Sequence, residues 1–378
     1  MEPVESAVDL AIVGGGVIGC SVAYHATRLG ARVALVEAER IGSGASGAAA
    51  GMLNAQAEAH EPGPFLDLLL SSRRLHKPLG EELYEATGLD PEYVWAGTLR
   101  VATDEASRET FAAEHSWQRE RGLAARWLDA DEVHELEPNL SPRSVAALYL
   151  PEDGQVNPPR LVQALALGAT LGGARLMEAT RVEGLVVEGR RVTGIRTARE
   201  KISAGAVVLA GGASSTLLSE ELGVRLPVHP VKGEILAVNA RPAPVRANAW
   251  GSECYVVPKR DGRVVVGATE EPGVYDRRPS LGGVAHLSRA AVNLVPELSR
   301  APFASAWGGL RPGTPDGWPI LGPVEGWEGL FLATGHYRNG VLLSAVTGES
   351  IAALALGEAS PFDISPFLQG RFAESVTR

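Results

Sequence analysis

The feature that most restricts this chain is a glycine loop set between two apolar runs. Val8-Asp9-Leu10-Ala11-Ile12-Val13 is short and apolar, and it leads into Gly14-Gly15-Gly16-Val17-Ile18-Gly19. In that G-x-G-x-x-G spacing the first glycine makes a tight turn, the second lets backbone approach a diphosphate, and the third lets helix and strand pack closely. Downstream, Cys20 to Leu29 offers Val22, Ala23 and Ala26 for one buried helical face, with Gly30 as its stop. Arg32-Val33-Ala34-Leu35-Val36 then reads as a second strand ending at Glu37. Strand, loop, helix and strand make a β-α-β unit, and Glu37 stands about 20 residues past the loop, where a ribose-binding carboxylate belongs. Gly14, Gly16, Gly19 and Glu37 are therefore read as parts of a dinucleotide site. A carboxylate there would repel a ribose 2'-phosphate, which argues against NADP and leaves FAD and NAD.

The choice tips toward FAD at Ile41 to Met52, where Gly42-Ser43-Gly44-Ala45-Ser46-Gly47-Ala48-Ala49-Ala50-Gly51-Met52 carries almost no side-chain bulk. A broad planar ring can lie against such a backbone. A second apolar strand, Ala206 to Ala210, runs into Gly211-Gly212-Ala213-Ser214-Ser215 and is expected in the same parallel sheet. Leu330 to Ala333 reads as one more strand before Thr334-Gly335, and Val341 to Leu356 has helical apolar spacing. Between these pieces, Thr98 to Ala102, Gly233 to Val238, Cys254 to Pro258 and Arg263 to Val266 are short and β-branched, and suggest an antiparallel sheet. At 378 residues the chain is long for one core. The expected fold is α/β, a Rossmann-like FAD-binding domain with a parallel sheet, interleaved with an α+β substrate domain on an antiparallel sheet. Residues 1–90, 145–225 and 310–378 are assigned to the first domain, and 91–144 and 226–309 to the second.

A net charge of −10 argues against nucleic acid or an anionic membrane as partner. The four lysines, Lys77, Lys201, Lys232 and Lys259, form no cluster. Cys20 and Cys254, without a Cys-x-x-Cys, give neither a disulfide framework nor a metal site. Glu2 and Glu5 precede only a short apolar run, so no secretory leader is read, and no run of about 18 apolar residues suggests a membrane span. The expectation is a cytoplasmic protein.

These residues resemble the D-amino acid oxidase superfamily of flavoproteins, most closely the glycine oxidases tied to the thiazole branch of thiamine biosynthesis. The resemblance spans most of the chain. It rests on the Gly14 to Gly19 loop, Ala48-Ala49-Ala50-Gly51-Met52-Leu53, Pro230-Val231-Lys232-Gly233-Glu234, Cys254-Tyr255-Val256-Val257-Pro258, Gly309-Leu310-Arg311-Pro312-Gly313-Thr314 and Gly335-His336-Tyr337-Arg338-Asn339-Gly340, the last two being the most specific. It implies non-covalent FAD held by Val17, Ile18, Glu37, Ala38, Ala45, Ser46, Ala50, Gly51, Met52 and Val182, and by His336, Tyr337, Arg338, Asn339, Gly340, Val341 and Leu342; Gly211, in the second strand-turn, is added to that set. It also implies substrate contacts at Arg311 and Arg338, with Tyr255 beside the substrate carboxylate and Met52 lining the pocket. Relatives often carry Arg or Thr before the small-residue run, where this chain has Ser43-Gly44-Ala45-Ser46-Gly47. A homo-oligomer, a tetramer, is also implied.

The implied reaction is oxidative deamination of glycine, sarcosine or small D-amino acids, with hydride passing from the α-carbon to flavin N5 and O2 as acceptor. Positioning is most of that task, and a planar guanidinium suits a substrate carboxylate. Arg311 is the first choice, its bland alternative being an ion pair with Asp316. No histidine stands out as an obligatory base. The rival reading is a dehydrogenase that passes electrons to a quinone or a protein.

Overall fold

Residues 6–376 are described by a computed structural model; Glu2 and Glu5, on which the expectation of no secretory leader rests, lie outside that range. Two sheets organise the chain. The first has eight strands, with Ile320–Pro323, Leu330–Thr334, Lys201–Leu209, Ser6–Val13, Val33–Val36 and Arg175–Met177 in that order along its main path. Every neighbouring pair on the path is parallel except Ile320–Pro323 with Leu330–Thr334. Side chains alternate across a strand, and here both faces are covered. Leu10, Ile12, Ala206 and Val208 pack with the helices Val17–Arg28, Pro64–Thr87, Pro158–Leu171 and Gly340–Ala355. Ala11, Val207 and Leu209 point the other way, into a second apolar layer closed by the hairpin Val182–Glu188 and Arg191–Thr197 and by Val224, Leu226 and Val228. That is why these strands read as unbroken apolar runs.

The first helix begins at Val17, earlier than the expected Cys20, because Gly16 is extended and caps it inside the glycine loop. The last helix begins at Gly340. Among the described residues no helix is long and apolar enough to cross a membrane.

The second sheet has nine strands built around His229–Asn239, which pairs antiparallel with Arg263–Gly267, Glu271–Pro272 and Phe303–Gly313. Beyond these lie Tyr255–Pro258, Asn248–Trp250, Thr98–Ala102, Ala146–Leu150 and Arg126–Asp129. The helix Leu281–Leu294 covers one face through Leu287, Ala290, Ala291 and Leu294. The other face turns Ile235, Tyr255, Val257 and Val265 toward Ala50 and Met52. By hydrogen-bonded register, Ala146–Leu150 and the end of Phe303–Gly313 side with this sheet. The boundary drawn at 310 therefore cuts through Phe303–Gly313, and the one at 145 separates Ala146–Leu150 from its partners Thr98–Ala102 and Arg126–Asp129, since an apolar run does not announce which sheet it will join.

Among the described glycines the closest approach to backbone is at Gly19, where an added Cβ would stand 1.9 Å from the carbonyl oxygen of Gly14. Helix and turn have no slack there. Gly19→Ala is expected to cost about 1 to 3 kcal/mol by overpacking and to weaken flavin retention, checked by thermal unfolding and by the ratio of flavin to protein absorbance after purification.

Candidate active site

Between the two sheets lies a cavity of about 610 Å³ that runs from Glu37, Thr180 and Val182 at one end to Tyr255, Arg311 and Arg338 at the other. The glycine loop forms part of its wall. Gly14 adopts φ +110°, and a Cβ on it would meet the Ala210 carbonyl oxygen at 2.5 Å, so no other residue fits this turn. The first helix then points its N-terminus at the cavity, with the Val17 N–H donating to Ser46 Oγ at 2.9 Å. Ser46 thus supplies an oxygen at the helix end in a loop that departs from the common family pattern. Glu37 accepts from the N–H of Gly15 at 2.7 Å and of Glu39 at 2.8 Å, which fixes its carboxylate where the second strand ends.

The small-residue segment is not a free linker. Ala45–Ala48 forms one helical turn, and the second sheet pins both its end and the residues up to Ala50. Trp307 Nε1 donates to the Ala48 carbonyl at 3.0 Å, and a Cβ on Gly309 would come within 2.6 Å of Ala48 Cβ. Lys259 Nζ donates to the carbonyls of Ala50 and Val156 and to Gln155 Oε1. Burial pushes the Lys259 ammonium down to about 7, while the three acceptors match the three N–H groups of its charged form.

At the far end Arg311 extends from Phe303–Gly313 over Gly233, where an added Cβ would collide with the guanidinium at 2.3 Å. Gly267 makes the same kind of room for the Tyr255 hydroxyl, at 2.4 Å. Arg311 donates to the Thr269 carbonyl at 3.2 Å, and no carboxylate of the described residues pairs with it. Asp316, its alternative partner by sequence, is taken by Arg371 at 2.7 Å. Burial raises the Tyr255 pKa against the pull of Arg311 and Arg338, so the phenol stays protonated.

Arg338 is differently placed. Its guanidinium lies 5.1 Å from the Trp250 ring centre, with Glu58 at 3.4 Å and Glu270 at 3.6 Å. Tyr337, in a left-handed conformation at φ +47°, donates its hydroxyl to Glu270 and its N–H to the Pro312 carbonyl at 2.9 Å. That last bond joins the two most specific sequence blocks. His336 is buried, with Nε2 3.0 Å from Thr347 Oγ1, and desolvation holds its pKa down at about 3. Its ring is neutral, so positive potential at this wall comes from Arg311 and from the N-terminus of Gly340–Ala355, whose first-turn N–H groups have no intrahelical acceptor.

Gly14, Gly16, Val17, Ile18, Glu37, Ala38, Ala45, Ser46, Ala50, Gly51, Met52, Val182, Gly211, Tyr255, Arg311 and His336 through Val341 all line the cavity. Gly19 and Leu342 do not. Gly19 serves packing, and Leu342 is buried with its carbonyl accepting from Ser72 and His76. The sequence reading missed Glu58, Trp250, Glu270 and Arg277, which line the cavity, and Lys259 and Trp307, which brace its wall. Lys259 directly succeeds the Cys254–Pro258 block; the others carry no local signal.

Residues 9–354 match the FAD dependent oxidoreductase family, DAO. The chain belongs to that family. It is 42% identical over 361 residues to a glycine oxidase of Geobacillus kaustophilus, covering 95% of this chain and 96% of the relative. The crystal structure of glycine oxidase from the same organism superposes with a TM-score of 0.94 at 41% identity, over 97% of this chain and 99% of that one. The bifunctional protein ThiO/ThiG of Synechocystis sp. is 34% identical over 96% of this chain, which spans 54% of that longer protein.

FAD is the family's cofactor, and the cavity fits it. The glycine turn and the first helix offer N–H groups for a diphosphate, Glu37 offers a ribose acceptor, and the braced loop leaves a side-chain-free surface broad enough for a ring. Because the three nearest atoms an alanine at 233 would meet belong to the far end of the Arg311 side chain, Gly233→Ala should fold normally with flavin bound. It should still raise the KM for a carboxylate substrate more than tenfold by displacing Arg311; steady-state kinetics beside a flavin spectrum checks it.

Proposed function

We propose that this protein oxidises glycine and other small amino acids or amines, such as sarcosine and small D-amino acids. The products are glyoxylate or another α-keto acid, ammonia or an amine, and hydrogen peroxide from O2. The observation that carries the reading is Arg311, a guanidinium without a carboxylate partner among the described residues, at the inner end of a flavin-sized cavity. The glycine oxidase relatives support it, and the ThiO/ThiG likeness supports use of the oxidised product in the thiazole branch of thiamine biosynthesis.

Arg311 holds the substrate carboxylate bidentately, each charge-assisted hydrogen bond contributing about 1.5 to 3 kcal/mol. Tyr255 adds a hydroxyl donor to the same carboxylate, and its raised pKa keeps that donor in place at alkaline pH. Met52, with Ile235 and Val265 behind it, keeps the wall apolar so that the α C–H is presented away from water. When bound, FAD supplies the two-electron chemistry, taking up the hydride that leaves the α-carbon and passing both electrons to O2. The N-terminal N–H groups of Gly340–Ala355 and Arg311 stabilise negative charge that develops against that wall.

No protein base is assigned. His336 stays neutral above about pH 3, and Tyr337 and Cys254, both pushed up to about 12, keep their protons through the working range. The titration that matters is the substrate ammonium, because only the neutral amine has a lone pair to give.

Three outcomes are expected. Purified protein given glycine in air should release peroxide; bleaching of its flavin without peroxide would mean a different electron acceptor. Arg311→Ala should lose about 10² to 10⁴-fold in kcat/KM while staying yellow, and near-normal turnover would remove Arg311 from its role. The logarithm of kcat/KM should climb with pH until the substrate ammonium is deprotonated; a flat profile from pH 6 to 10 would contradict the neutral-amine requirement.

A further inference from the structure

The two guanidinium groups beside Tyr255 at the far end of the cavity, Arg311 and Arg338, differ in one respect that bears on substrate class. Arg311 faces no carboxylate of the described residues, whereas Arg338 faces Glu58 and Glu270 at 3.4 and 3.6 Å. All four side chains line the same cavity. We propose that Glu58 and Glu270 are specificity-determining residues that cancel the charge of Arg338, leaving the site one anion anchor and restricting it to amines with a single carboxylate. This deepens the proposed oxidation and rests on its substrate geometry.

The arrangement is built. Glu58 sits on a short turn, its N–H donating to the Asn54 carbonyl at 3.1 Å, with its side chain only 12% exposed. Beneath the turn the buried carboxylate of Asp153 accepts from the N–H groups of Gln56 and Ala57, and Arg73 holds Asp153 at 2.7 Å. Glu270 is held from the other side by the Tyr337 hydroxyl, and Trp250 covers the guanidinium face. Arg338 therefore cannot swing to a second ligand without leaving both carboxylates.

A one-carboxylate substrate balances Arg311 and meets no further charge requirement. A substrate with a second carboxylate would bring it toward Glu58 and Glu270, where it must either compete for an occupied guanidinium or stand beside like charge. An uncharged N-substituent meets neither obstacle.

The test compares sarcosine with iminodiacetate as substrates of the holoenzyme, and butyrate with its dicarboxylate counterpart glutarate as ligands read by perturbation of the flavin absorbance. Wild type should favour sarcosine over iminodiacetate by at least 10²-fold in kcat/KM and butyrate over glutarate at least tenfold in Kd. Glu58→Gln should move both ratios at least tenfold toward the dicarboxylate, and Glu270→Gln, at a more exposed position, should move them the same way. Ratios unchanged in both flavin-loaded variants, or a wild type that accepts iminodiacetate as readily as sarcosine, would overturn the proposal. If neither amine is oxidised, the proposed activity fails, but the butyrate and glutarate constants still decide the role of Glu58 and Glu270.

Discussion

Much of this structure depends on a segment that cannot hold itself. Residues 44–51 are glycine, alanine and serine, with too little side chain to build a core of their own, and most of them line the cavity in which FAD would be held. The second sheet supplies what they lack. Trp307 fixes the Ala48 carbonyl, Gly309 lets the strand come down onto Ala48, and Lys259 fixes the Ala50 carbonyl. A buried ammonium without a carboxylate partner is costly, and burial moves its pKa in the direction that cost demands. Three good acceptors offset part of it. The braces come from the sheet that also carries Arg311 and Tyr255, so the braced loop and the two proposed substrate anchors share one frame.

Much of the fold was legible because its signals are local. The glycine loop, the apolar runs before Gly14 and Gly211, and the carboxylate at Glu37 each arise from a steric or electrostatic need met within a few residues. What failed was pairing. Ala146–Leu150 and Leu330–Thr334 are both short apolar strands, and nothing in either run says that one joins an antiparallel sheet and the other a parallel one. The helix start at Val17 was likewise hidden, since the residues that cap it double as the turn.

Within the site the same division holds. Arg311 was readable from the Pro312-Gly313 turn directly after it, and its solitude is a fact of tertiary structure, decided when Arg371 reaches Asp316. Arg338 was read as a second handle on the substrate, but its carboxylates come from positions 58 and 270, too far along the chain for any spacing rule to link them. His336 was read as a flavin contact; it does line the cavity, and its burial keeps the ring neutral there. Leu342 extended the run of cavity residues by one position too many, because by then the helix has turned it into the core.

The parallel pairing of the first sheet has a consequence for how the protein comes into being. Val13 lies beside Leu209, and Leu209 beside Leu332, so the floor of the nucleotide cleft is assembled from stretches made at widely separated moments of synthesis. Such strands cannot close on a nearby hairpin partner, and long-range pairing of this kind is slow. The earliest strand keeps one edge open until Lys201–Leu209 has been made, past the middle of the chain, and an open apolar edge is a hazard of the nascent chain that the finished fold no longer carries.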